Sequence, residues 1–224
     1  MSVELEEYLN FSNKINELIS AHMLGLNLTV KDYKFFYLWD EIMKGEVKLR
    51  SFCFERFARR SISGMIIKDE YEVTIVYNGN MGEKRVNFTV SHEIIHYLFH
   101  LNDTNNFFTD TKDSLEYSSL DMLPEFQANI GASAILIPDP VLIHELKAGS
   151  SPSQISNKYG ISENALYIRL VQQMQANFGA HYHAASRTAS KIMSGQSKKS
   201  MIDLGINLEN KHMYTNPFYE ALCI

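Results

Sequence analysis

The stretch FTVSHEIIHYLFH, Phe88 to His100, carries three histidines at four-residue steps, His92, His96 and His100, with Glu93 directly after the first. Helical side chains four apart sit one turn above one another, so His92 and His96 can reach one ion at imidazole–zinc bonding distance. Glu93 projects about 100° away from His92, where it can stand beside an activated water without coordinating the metal. Zinc brings the pKa of its water to roughly 7 and polarises a carbonyl under attack, while a neighbouring carboxylate takes the proton. These residue types at this spacing fit metal-assisted peptide hydrolysis. His100 stands apart. Eight residues of helix put it about 12 Å along the axis from His92, too far to share an ion, so it is expected to cap the helix end or face solvent.

The rival reading of the pattern is two satisfied core histidines and a surface glutamate. At about 100° per residue, Val90, Ile94, Tyr97, Leu98 and Leu101 form one apolar face, and Phe88, Ile95 and Phe99 a second nearly opposite. A helix apolar on two sides is sunk in a core. His92, Glu93 and His96 fall in the polar gap between those faces, where buried polar groups need partners.

A catalytic zinc takes a third protein ligand and keeps one position open. Downstream candidates are Asp103, Asp110, Asp113, Glu116, Asp121 and Glu125, and spacing favours none of those in the irregular stretch. Glu125 stands out because it opens a helix that continues through Asn129 and the small residues Gly131-Ala132-Ser133-Ala134, which permit close approach to another helix. Its structural alternative is an acid placed in a first turn, stabilised by the macrodipole.

The run Phe88-Thr89-x-x-His92-Glu93-x-x-His96, followed by Glu125-x-x-x-Asn129-x-x-Ala132-x-x-Ile135-Leu136-x-Pro138, resembles the ImmA/IrrE family of zinc metallopeptidases. The likeness is clearest over 62–138 and extends to 151–170. It implies a helical bundle with a small antiparallel sheet, a Zn²⁺ held by His92, His96 and Glu125, and Glu93 as the catalytic acid–base. It also implies a regulatory protease whose protein substrate is a transcriptional repressor. Two positions depart from the family's pattern: Ile95 stands where members often have glycine, and Asn87 where they often have arginine. Neither supplies a ligand; both bear on local packing and substrate fit.

The surrounding elements follow from period and punctuation. Helices are expected over 3–23 and 31–44, and a strand over VKLRSFCF (47–54). MIIKDEYEVTIVYN (65–78) reads as an antiparallel hairpin closed by Asn78-Gly79-Asn80. The histidine helix starts between Glu83 and Thr89 and runs to about Leu101, and the polar segment 102–119 reads as irregular. LPEFQANIGASAILIP forms a helix with Pro124 in its first turn, stopped at Pro138-Asp139-Pro140. A short helix follows at 141–147, then a helix–turn–helix-like hairpin about Gly160, then a polar, exposed connector over 186–200. The fold class is α+β: mainly a helical bundle with a small antiparallel sheet, a zincin-like active-site helix and a C-terminal helix–turn–helix-like segment. The division expected is 1–148 metallopeptidase, 149–178 helix–turn–helix-like, and 179–224 a C-terminal extension.

Such hairpins can place their second helix in the major groove. This one starts Ser162-Glu163-Asn164 and offers Arg169 alone, with Lys158 nearby, so phosphate contacts would be few. It is expected to serve packing or substrate docking, with DNA contact as the alternative. Tyr97 is expected in the core and His181-Tyr182-His183 on an exposed polar turn. His22, His144 and His212 read as isolated, and Lys191, Lys198 and Lys199 as a solvated face.

Composition sets the bounds. The 224 residues are 45% apolar and 21% charged, with a formal charge of −5. That is a globular balance with no basic surplus to draw nucleic acid or an anionic membrane. Two cysteines, Cys53 and Cys223, suit a reducing compartment. The acidic start MSVELEEYLN does not resemble a signal peptide, and ASAILIPDPVLI is too short and broken to span a bilayer. The expectation is a cytoplasmic zinc endopeptidase. The alternatives are a zinc-stabilised regulator that binds a repressor or DNA without cutting, or a toxin–antitoxin component.

Overall fold

The computed structural model describes residues 3–45, 47–55, 62–101, 107–111 and 122–223 (at 109–111 and 122 the backbone alone). Contacts divide the chain into two units, residues 36–132 and residues 1–35 with 133–224.

The 36–132 unit is built on four strands, β1 Val47–Phe52, β2 Ile62–Lys68, β3 Val73–Asn78 and β4 Phe107–Thr111, in the order β1-β3-β2-β4. The expected hairpin is present. β2 and β3 pair antiparallel with Ile66 opposite Ile75, both fully buried, and Asp69 closes the turn by accepting from the amides of Tyr71 and Glu72. Two features correct the sequence reading. β1 runs parallel to β3, so the sheet is mixed rather than antiparallel; alternation decides which side chains face inward but fixes neither partner nor direction. β4 lies inside the stretch read as irregular and pairs antiparallel with β2. Its five residues, FFTDT, carry a strand signal too short to read without that partner.

Helix α2 spans Phe36–Met43 and α3 spans Glu83–Ile95, the latter packed on β2 and β3. Asn87 and every residue from Thr89 to His96 are buried; of the two apolar faces Val90, Ile94 and Ile95 are in the core, whereas Phe88, Leu98, Phe99, Leu101 and Tyr97, the last expected in the core, are half-buried. The helix then widens into one π turn, His96–His100, closed by the Leu101 N–H donating to the His96 carbonyl at 2.9 Å. Helix α4, Met122–Leu136, contributes its first two-thirds to this unit.

The other unit is helical: α1 Val3–Gly25, the end of α4, α5 Asp139–Ala148, α6 Pro152–Lys158, α7 Glu163–Phe178, α8 Tyr182–Met193, α9 Lys198–Thr215 and α10 Tyr219–Leu222. Helix α9 lies along α5, and α7 packs on α8 and α1. The α6–α7 hairpin forms as expected, with a Ser151/Gln154 capping box, a turn at Gly160 and Ser162 capping α7. The expected connector over 186–200 is instead most of α8 and the start of α9. Its buried stripe is Ala185, Ala189 and Ile192, at the four- and three-residue steps of one helix face, a spacing that the small and polar composition of the segment masked.

At the centre of this unit sits Asp139, fully buried. Its carboxylate accepts from Arg169, from Gln173 Nε2 at 2.7 Å and from Asn16 Nδ2 at 2.9 Å, and His212 Nε2 lies 3.6 Å away. One carboxylate thus ties α1, α5, α7 and α9 together. The molecule is α+β, mostly helical with a small mixed sheet. Among the described residues no single helix is long and apolar enough to cross a membrane.

Candidate metal centre

His92 and His96 leave α3 on its buried side. Their Nε2 atoms face each other at 3.0 Å, and Glu125, in the first turns of α4, meets both. Its Oε2 lies 3.2 Å from His92 Nε2 and its Oε1 3.3 Å from His96 Nε2. All three side chains are buried, and among the described residues they form the one cluster of histidine, cysteine and acidic groups able to hold a metal ion. Of the other candidate acids, Asp103, Asp113, Glu116 and Asp121 lie outside the described residues. Asp110 is placed by its β4 backbone alone.

Glu125 arrives there because α4 approaches α3 closely. A Cβ on Gly131 would collide with Ile95 Cδ1, so the glycine on α4 makes room for an isoleucine on α3. The departure at Ile95 is therefore absorbed one helix away. Asn87, the other departure, is buried in α3.

The electrostatics suit a neutral His96 facing a carboxylate. Burial pushes His96 down to about 4, against the opposing pull of Glu125, so its ring is neutral at pH 7. Burial alone would raise the Glu125 carboxyl, but the two imidazoles override it and hold the group below the ordinary carboxylate range. The Nδ1–H of His92 donates to Asn129 Oδ1 at 3.2 Å, which leaves the Nε2 lone pair aimed at the cluster.

Glu93 is fully buried on α3, at the face that meets β2. A Cβ on Gly64 of β2 would collide with Thr89 Cγ2 and come within 3.1 Å of Glu93 Oε1. Only a bare Cα fits there. Gly64 carried no signal in the sequence, because a lone glycine in a strand marks close approach without saying to what.

Phe108 and Gln127 carried no signal in the sequence, and His100 is placed differently from the expectation. Phe108 on β4 stacks on the His96 ring, with centroids 4.3 Å apart and planes at 23°. His100, expected to cap the helix end or face solvent, is half-buried: its Nδ1 lies 2.9 Å from His96 Nδ1, and its Nε2 lies 2.9 Å from Gln127 Oε1. The four-residue spacing to His96 was the available clue, hidden when His100 is measured against His92, about two turns away.

The two cations of the α6–α7 hairpin are both engaged. Arg169 is buried against Asp139, and Lys158 pairs with Glu145 at 2.6 Å. His212, read as isolated, belongs to the Asp139 cluster. His181, Tyr182 and His183 are exposed at the start of α8.

A family model described as Peptidase_M78, IrrE N-terminal-like domain, matches residues 51–171, more than half of the 224. The curated proteins searched contain no match to the chain.

Proposed function

The chain belongs to the IrrE N-terminal-like peptidase family, and from that premise we propose that it is a zinc-dependent endopeptidase that hydrolyses a peptide bond in a protein substrate. The convergence of His92, His96 and Glu125 carries the reading. Ligand atoms of a tetrahedral ion bound at 2.0–2.1 Å stand roughly 3.3 Å apart, and the contacts here are 3.0, 3.2 and 3.3 Å. Two imidazole nitrogens and a carboxylate packed this tightly, and buried, form a donor set that a single cation would join. The donor set, two nitrogens and one oxygen, suits zinc and leaves a fourth position for water.

Zinc bound there supplies Lewis acidity, making water reactive at neutral pH and polarising the scissile carbonyl. The protein's own residues do the rest. Glu93 takes the proton from the attacking water and returns it to the amide nitrogen as the peptide C–N bond breaks, leaving a carboxylate and an amine. Burial beside Gly64 holds that carboxylate in one place. Asn129 keeps His92 in the tautomer that offers Nε2. A purely structural zinc site would fill all four positions and have no use for Glu93, which favours hydrolysis over the regulator reading. Engagement of Arg169 and Lys158 favours a packing role for the α6–α7 hairpin over DNA contact.

By family habit the substrate is a transcriptional repressor or related regulator, cut in the cytoplasm. The test is a Glu93→Gln variant compared with the wild type, each co-expressed with a repressor from the same genome. Retained zinc with cleavage reduced about 10²–10⁴-fold supports the proposal. A repressor left whole by both, yet bound equally by both, overturns it.

A further inference from the structure

Resting on the reading of His92, His96 and Glu125 as a metal centre, we infer that His100 is a positioning residue for it: through a hydrogen-bond chain from Gln127, His100 fixes which nitrogen His96 offers the metal. Gln127 sets the hydrogens from the far end of the chain. Gln127 Oε1 only accepts, so the Nε2 of His100, 2.9 Å away, carries a hydrogen. With a single hydrogen on the His100 ring, Nδ1 is the acceptor for the Nδ1–H of His96 at 2.9 Å. The remaining nitrogen of His96, Nε2, is left as a lone pair, and it is the atom that faces His92 and Glu125. Run the other way, with a donor at position 127, the same chain would put a hydrogen on His96 Nε2 and close the site to a cation.

Backbone geometry brings His100 into place. Side chains four residues apart on a helix sit one turn above one another, so His100 follows His96 as His96 follows His92. His100 closes the π turn His96–His100, and its ring meets that of His96 edge to face, with centroids 4.8 Å apart and planes at 63°. Single π turns of this kind recur at functional sites. Phe108 closes the other flank of His96, so the ring is held by a stack on one side and the His100–Gln127 chain at its edge. Outer partners of metal-bound histidines commonly set ring orientation and basicity in this way.

Zn²⁺ affinity by chelator competition and the visible spectrum of the Co²⁺-loaded protein test the inference on His100→Leu, His100→Asn and wild type. An asparagine Oδ1 occupies nearly the place of the histidine Nδ1 and can accept from His96; leucine cannot. The expected result is a loss of about 10–100-fold in Zn²⁺ affinity for His100→Leu, with an altered Co²⁺ spectrum. His100→Asn should recover most of the affinity and the wild-type spectrum. Equal affinity in wild type and His100→Leu overturns the inference, as does an equal loss in both variants, which would mark a packing role. Should His100→Leu not fold, Gln127→Leu replaces it, and unchanged affinity there overturns the inference equally. If the wild type itself binds no Zn²⁺, the underlying metal-centre reading fails as well, so the two failures are distinguishable.

Discussion

At the scale of single residues, the centre depends on two kinds of side chain: those that reach the ion and those that leave room. Gly64 is the second kind. Its Cα lies where any Cβ would strike Thr89 and crowd Glu93, both fully buried. Gly64→Ala should therefore retain His92, His96 and Glu125 in place while displacing Glu93. Overpacking of this sort costs about 1–3 kcal/mol, so we expect a lowered urea midpoint and Zn²⁺ content like that of wild type. Proteolysis should fall toward the Glu93→Gln level. Undiminished cleavage would mean that Glu93 tolerates movement. The histidine pair and its glutamate were legible in the sequence because their spacing is local. Gly64 and Phe108 were not, because each acts on α3 from a strand that only the sheet brings there.

At the scale of elements, the decisive contact is α4 against α3. Gly131 and Ile95 fit as a small and a large residue, and Gly131→Ala would drive a methyl into the Ile95 side chain. Because Glu125 rides on the same helix, that push should weaken Zn²⁺ binding as well as stability. Ile95→Ala alone opens a cavity costing about 2–5 kcal/mol. The double variant should be less destabilised than the sum of the two singles, a coupling of the kind double-mutant cycles resolve between contacting residues. Strict additivity in urea unfolding would contradict the contact. The small-residue run after Glu125 announced that α4 approaches another helix closely, though not that Ile95 was its counterpart. The π turn was illegible for a different reason. It shifts one hydrogen bond, Leu101 to His96, and no residue type in HYLFH demands that.

At the scale of the whole molecule, the chain packs as two units divided near 35/36 and 132/133, whereas the sequence suggested functional segments ending at 148 and 178. Periodicity locates helices but not which of them share a core, and the Asp139 cluster shows why. It joins Ser12 and Asn16 to Arg169, Gln173 and His212 across most of the chain length. Asp139→Asn should cost about 3–5 kcal/mol by stranding a buried guanidinium, and adding Arg169→Met should restore most of it. The pair also sets an acid limit. Burial by itself would raise the Asp139 carboxyl, but Arg169, with His212 beside it, holds it below the ordinary range. A folded value below the unfolded one, about 3.9, gives stability that is complete well above that pH. It is lost as pH falls through the depressed value. The acid slope of unfolding free energy should thus be shallower in the double variant than in wild type, and identical slopes would contradict this assignment. For the account as a whole, the most direct measurement is the zinc content of purified wild type, His92→Ala and Glu125→Ala. Wild type should carry about one zinc per chain and both variants background levels. Zinc retained in Glu125→Ala, or a wild type without metal, would contradict it.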